Sequence, residues 1–155
     1  MNADLYRVPD GENIRHRDLL FRADDSETEV DSYLHSGALY LWLDGDTVLG
    51  HVLVTPAGEN EAELKNLAID AAHRGRGIGQ RMIAAVCAEL AANGIGRIFV
   101  ATSAADTGNL HFYQRCGFRL LRVERDVFTP RRGYVEDFRI DGILAVDRVV
   151  MDRVL

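Results

Sequence analysis

Near residue 77 the hydrophobic period of the chain changes. Upstream, "ALYLWL" (38–43), "TVLGHVLV" (47–54) and "AELKNLAI" (62–69) are rich in Leu, Val and aromatic residues and read as strands. "DGDT" joins the first two, and its Asp-Gly is a hairpin signal. The turn-rich "TPAGEN" leads into the third, so this part of the chain reads as an antiparallel meander. Downstream, Ile78, Met82, Ile83, Val86 and Leu90 fall on one helical face, and Asn93-Gly94 ends that helix. A meander that feeds a helix restricts the chain to a sheet with helices packed against it.

The flanks fill in the order. "DLYRV" (4–8) suggests a first strand, and "NIRHRDLLF" (13–21) and "SETEVDSYLHSG" (26–37) two short helices. Ser26 with Glu29 forms a capping box for the second, and Gly37 is its stop. After the central helix, "RIFVAT" (97–102) is a buried strand. A short helix over 108–115 follows, capped by Asp106 or Thr107 and stopped at Gly117. "FRLLRV" (118–123) and "ILAVDRVVMDRVL" (143–155) are the last strands, part of the second also reading as helix. The order is βααβββαβαββ. A helix between two central strands implies a parallel crossover in a mostly antiparallel sheet, hence a mixed α/β fold of the α+β type.

Bulk properties narrow the class. The 155 residues suit a single domain over 1–155, with 47% apolar and 27% charged residues. No apolar run nears the roughly 20 residues that span a bilayer, and "MNADLYRVPDGENIRHRD" lacks a signal-peptide pattern. The expected compartment is the cytoplasm, with no membrane partner. Cys87 and Cys116 form no CxxC pair and read as buried or half-buried thiols. The net charge of −6 disfavours a nucleic-acid partner and is compatible with an amine substrate. His16, His35, His51, His73 and His111 show no metal-ligand spacing, so no metal is expected. Trp42 reads as sheet core, Phe112 as helix core, and Lys65 is the only lysine.

The hinge between the two periods is "HRGRGIGQR" (73–81). It is not a P-loop, because Gln80 follows Gly79 where a Lys is required. It is not a good dinucleotide fingerprint, since its third glycine comes one residue early. A strand leads in and a helix leads out, so backbone N–H groups and the helix dipole favour an anion, with Arg74, Arg76 and Arg81 nearby. A tight strand–helix connection with solvated arginines is the plainer alternative.

"LAIDAAHRGRGIGQRMI" resembles the signature of the GNAT superfamily of acetyl-CoA-dependent N-acetyltransferases, R/Q-x-x-G-x-G/A at a helix start, fitted by Arg74 to Gly79. "NLHFYQRCGFRLL" resembles the later N-x-x-x-Y-x-x-x-G-F region of that family. The resemblance covers roughly Leu39 to Leu121. It implies a GNAT-like mixed, mostly antiparallel twisted sheet with helices on both faces, splayed at the strand that takes acetyl-CoA. It implies that the backbone of Gly75, Arg76, Gly77, Ile78, Gly79 and Gln80 binds the pyrophosphate, with the Arg74 and Arg76 side chains close by. Leu67, Ala68 and Ile69 would pair with the pantetheine arm, and the Leu67 N–H would face the thioester oxygen.

Glu63 matches a position that is the general base in several branches of the family. An alkylammonium has a pKa of about 10 and must lose a proton before it attacks. A strand glutamate is otherwise a solvated side chain. Tyr113 matches the tyrosine that protonates the leaving thiolate; its plainer reading is a core aromatic. Asn109, one helical turn earlier, matches a polar contact to the pantetheine or phosphate region. The resemblance therefore implies acetyl transfer from acetyl-CoA to a primary amine, favouring a small one. The competing readings are a protein N-terminal or lysine acetyltransferase and an acyl-CoA-binding sensor with little catalysis. An unpaired sheet edge near the C-terminus would suit a homodimer.

Overall fold

The computed structural model describes residues 3–155. The chain forms two compact units: one runs to Gly96 and includes Leu155, the other spans Arg97–Val154.

The first unit contains β1 (Ala3–Arg7), α1 (Arg17–Leu20) behind a 3-10 turn (Asn13–His16), α2 (Glu27–Tyr33), β2 (Ala38–Asp44), β3 (Thr47–Gly58), β4 (Glu61–Ile69) and α3 (Ile78–Ala92). Its strands run β1-β2-β3-β4, each pair antiparallel. The meander is therefore as expected, except that β3 carries on through Thr55-Pro56-Ala57-Gly58 before turning. The β2–β3 turn places Gly45 at φ 58, the positive angle its first central position needs. Ser26 accepts the Glu29 N–H and caps α2; Asp24, not Glu29, returns the favour at the Ser26 N–H.

Helices cover both faces of this sheet. Val8, Leu20, Val30, Tyr33, Leu34, Leu39, Leu41 and Leu53 form one core under α1 and α2. On the opposite face, Ile78, Met82, Ile83, Val86 and Leu90 of α3 are all buried, as their spacing required. The approach is close at Gly50 of β3. A Cβ there would sit 2.6 Å from Ile69 Cδ1 and 3.4 Å from Met82 Sδ. Each buried aliphatic side chain contributes about 1.5–3 kcal/mol.

The second unit contains β5 (Arg97–Ser103), α4 (Thr107–Arg115), β6 (Arg119–Glu124), a short hairpin of β7 (Arg139–Ile140) and β8 (Ile143–Leu144), and β9 (Arg148–Val154). β9 lies between β5 and β6, antiparallel to both. The last segment is thus neither continuous strand nor helix. Ile143-Leu144 belongs to the hairpin, and β9 starts afresh at Arg148. Asp106 caps α4 by accepting the Asn109 N–H at 2.8 Å. Cys87 and Cys116 are buried and unbridged, and Trp42 is buried.

Candidate active site

In the first unit, β4 delivers the chain to the glycine loop. Asp70 ends the strand and accepts from the Ala72 N–H at 3.0 Å, His73 Nδ1 at 3.2 Å and Arg22 at 3.2 Å. The His73 and Ala72 hydrogen bonds, with the Arg22 charge, hold its carboxyl below the usual range. The Arg74 Nε donates back to the Ile69 carbonyl at 3.1 Å, closing the turn.

Gly75 (φ 76) and Gly77 (φ 70) take left-handed conformations, and nothing lies within 4 Å of where a Cβ would be at either. Gly77 is the N-cap of α3, and no side chain caps the helix. The first N–H groups of a 15-residue helix therefore end at an open, side-chain-free surface, with Arg74 and Arg76 exposed beside it. Arg81 reaches back to the Arg76 carbonyl at 3.5 Å. This arrangement fits an anion such as a pyrophosphate. A solvated connection would leave the same groups to water.

On β4, Leu67, Ala68 and Ile69 pair with Val52, His51 and Gly50. Glu63 stands opposite Thr55, with its carboxylate 3.8 Å from Lys65 Nζ; each side chain is 33% exposed. The Lys65 ammonium also lies 5.8 Å from the centre of the Tyr33 ring. Glu63 is thus accessible, as a base must be, and Lys65, two residues on along the strand, is its cationic neighbour.

In the second unit, Asn109 and Tyr113 share α4 but not the same environment. Asn109 is exposed and its Nδ2 donates to Thr102 Oγ1 at 3.3 Å. Tyr113 is 7% exposed, edge-on to Phe112 (5.2 Å) and Phe118 (5.7 Å). Burial pushes its phenol well above the ordinary range. Phe112 itself is half-buried, not full core.

Sequence reading missed a buried polar group at Asn66, which bonds His51, Tyr33 and the Leu20 carbonyl. The available signal was a polar residue between Leu64 and Ala68, both inward-facing apolar positions of the same strand. Among the described residues no His, Cys, Asp or Glu cluster could hold a metal, and no helix is long and apolar enough to cross a membrane.

Residues 6–118 match the family model "Acetyltransferase (GNAT) family". The chain is 30% identical over 151 residues to the uncharacterized N-acetyltransferase YvbK of Bacillus subtilis (strain 168), covering 96% of each. A Bacillus subtilis acetyltransferase solved in complex with CoA superposes with TM-score 0.88 at 27% identity, covering 99% of each chain. A GNAT family acetyltransferase from Elizabethkingia anophelis with acetyl-CoA bound also gives 0.88, at 28% identity and 99% of each. The fold is the mixed, mostly antiparallel α/β architecture of these relatives, which were solved with CoA and acetyl-CoA bound. The chain belongs to the GNAT family of acetyltransferases, and it is an acyltransferase.

Proposed function

We propose that this enzyme moves the acetyl group of acetyl-CoA to the primary amine of a small molecule by direct attack. The chain would act as one cytoplasmic N-acetyltransferase domain. The observation that carries the reading is the open α3 N-terminus at Gly75–Gln80. It combines N–H groups that no side chain caps among the described residues, left-handed glycines and flanking arginines, in a chain of an acetyltransferase family.

Each step falls to a named group. The N–H groups of Gly75 to Gln80, with Arg74 and Arg76, hold the pyrophosphate. The backbone of Leu67 to Ile69 holds the pantetheine amides, and Asn109 adds a polar contact. Glu63 takes the proton from the ammonium, directly or through a water, freeing the lone pair that attacks the carbonyl. The Leu67 N–H stabilises the negative charge that collects on the thioester oxygen. As the C–S bond breaks, Tyr113 donates its proton to sulfur, and the proton that the new amide nitrogen sheds restores the phenol through solvent. No covalent enzyme intermediate is needed, and the buried Cys116 has no part.

A panel of amines tests the acceptor, with CoA thiol release as the signal. It would include polyamines, amino acids, aminoglycosides, and peptides with a free N-terminus or lysine. Release with a small amine is expected. Release with peptides alone would make the enzyme a protein acetyltransferase. A folded protein that gains thermal stability from CoA but releases thiol with no amine would be a sensor. We also propose a homodimer through the exposed edge at β6.

A further inference from the structure

The pairing of β3 with β4 breaks at two points, and at one of them β4 carries the extra residue. Leu53 stands opposite Asn66 and Val54 opposite Leu64, so Lys65 is the extra residue of a bulge. A bulge bends the strand and leaves its extra residue out of the ladder, so the backbone beside it needs another anchor. Asn66 is the next residue, 3% exposed, in a mostly apolar core that also holds the buried His51.

The Asn66 amide is used almost to capacity. Its Nδ2 donates to the Leu20 carbonyl at 2.9 Å and to Tyr33 Oη at 2.8 Å. These are the last residues of α1 and α2. With both hydrogens committed, Oδ1 faces His51 Nε2 at 2.7 Å, so the imidazole carries its hydrogen there and donates. Tyr33 passes its own hydrogen to Asp24 Oδ2 at 3.0 Å, and the other Asp24 oxygen takes the N–H of the α2 cap, Ser26. One amide therefore ties α1, α2 and β3 to β4 at the bulge, all inside the first unit.

We infer that Asn66 is a positioning residue for acetyl transfer. Its three hydrogen bonds fix the bulged segment of β4, and with it the direction of the neighbouring Leu67 N–H. They also fix the ends of α1 and α2 to the same point. This rests on the reading that the Leu67 N–H faces the thioester oxygen. An apolar residue would fill the same space without the desolvation cost of an amide. What the amide adds is direction: three bonds of set geometry hold one backbone segment in one orientation.

The test is the infrared carbonyl band of [1-13C]acetyl-CoA bound to the full chain. In the wild type the band should lie below that of free acetyl-CoA, because a hydrogen bond weakens the C=O. In Asn66→Ala it should return at least halfway to the free position. CoA should still bind through the pyrophosphate loop, with a weakened hold at the pantetheine contacts of Leu67 to Ile69 that the same segment carries. Tyr33→Phe removes one of the three bonds and should give a smaller displacement; it decides the matter if Asn66→Ala does not fold. A residue that merely fills the core would lower the melting temperature and leave the band in place. A wild-type band in a folded Asn66→Ala, or failing that in Tyr33→Phe, overturns the inference. A wild-type complex with no lowered band removes the Leu67 donor reading itself, and the inference with it, before any variant is made.

Discussion

A tyrosine that is to give a proton to sulfur must hold that proton at neutral pH. An ordinary phenol already does so, with a pKa of about 10; burial beside Phe112 and Phe118 penalises the Tyr113 phenolate and raises it further, which makes it a weaker acid toward the thiolate. Tyr113→Phe keeps the ring packing and deletes only the proton. With any amine the panel identifies, kcat should fall about a hundredfold, the low end for a positioned acid. The CoA dissociation constant should move by less than about twofold. Equal losses in both would assign Tyr113 to binding. His51 makes a second residue-scale prediction. It is 0% exposed and its Nδ1 has no hydrogen-bond partner, so a second ring proton has nowhere to bond. Burial pulls its pKa down to about 4. The unfolded reference lies at about 6.5, so between these values the unfolded chain binds a proton that the folded chain refuses. The stability conferred by the neutral ring is complete above pH 6.5 and is lost as the pH falls toward 4. The loss is about 3 kcal/mol. Urea unfolding at pH 7 and pH 4.5 reads it, and His51→Leu should flatten that part of the slope. The helix that carries Tyr113 was legible in the sequence, whereas the buried bonds of Asn66 and His51 were not. Their bonds close over 46, 33 and 15 residues of sequence, and nothing local announces such partners.

At the scale of elements, the strongest local signals were legible and the weaker ones were not. α3 announced itself because five apolar residues repeat at helical spacing and Gly94 (φ 84) stops them. The β7–β8 hairpin went unread although "RIDGIL" contains the Asp-Gly pair that a two-residue turn prefers. Its strands are two residues each, too short to show an alternation. Asp141 (φ 50) and Gly142 (φ 80) do take the positive angles of that turn. Gly77 offers the element-scale test. Its φ of 70 is forced by the turn from the loop into α3, and the space around it is open, so Gly77→Ala meets no clash. The cost is conformational alone, about 1–2 kcal/mol. Unfolding free energy measured at saturating CoA should fall by that amount, because the bound loop cannot relax to escape it. An unchanged value would mean that the left-handed angle at Gly77 is dispensable for the complex.

For the whole molecule, the surface raises the question of a second copy. In the second unit β6 pairs with β9 on one side, and no strand pairs its other side among the described residues. The strand reads "RLLRVE", with Leu120, Leu121 and Val123 exposed at 60%, 41% and 61%. Monomeric proteins blunt such edges with charges, prolines or covering elements, because a free edge with apolar side chains recruits another strand. Leu121 is the extra residue of a bulge against β9, so self-pairing would bring two copies together around that bulge, with Leu120 and Val123 on either side of it. Glu124 is already held by Arg148 and Arg122, which keep its carboxyl ionised below the usual range. The charge it presents is therefore constant across physiological pH, and the association should be pH-independent from about 6 to 8. Leu120→Lys places like charges near the two-fold axis and exposes no buried atom, so the fold should survive while the dimer does not. Light scattering behind size exclusion should give a dimer for the wild type and a monomer for Leu120→Lys, with matching circular dichroism. A wild-type monomer at about 100 μM would show that this edge is tolerated bare, and that acetyl transfer needs only one chain.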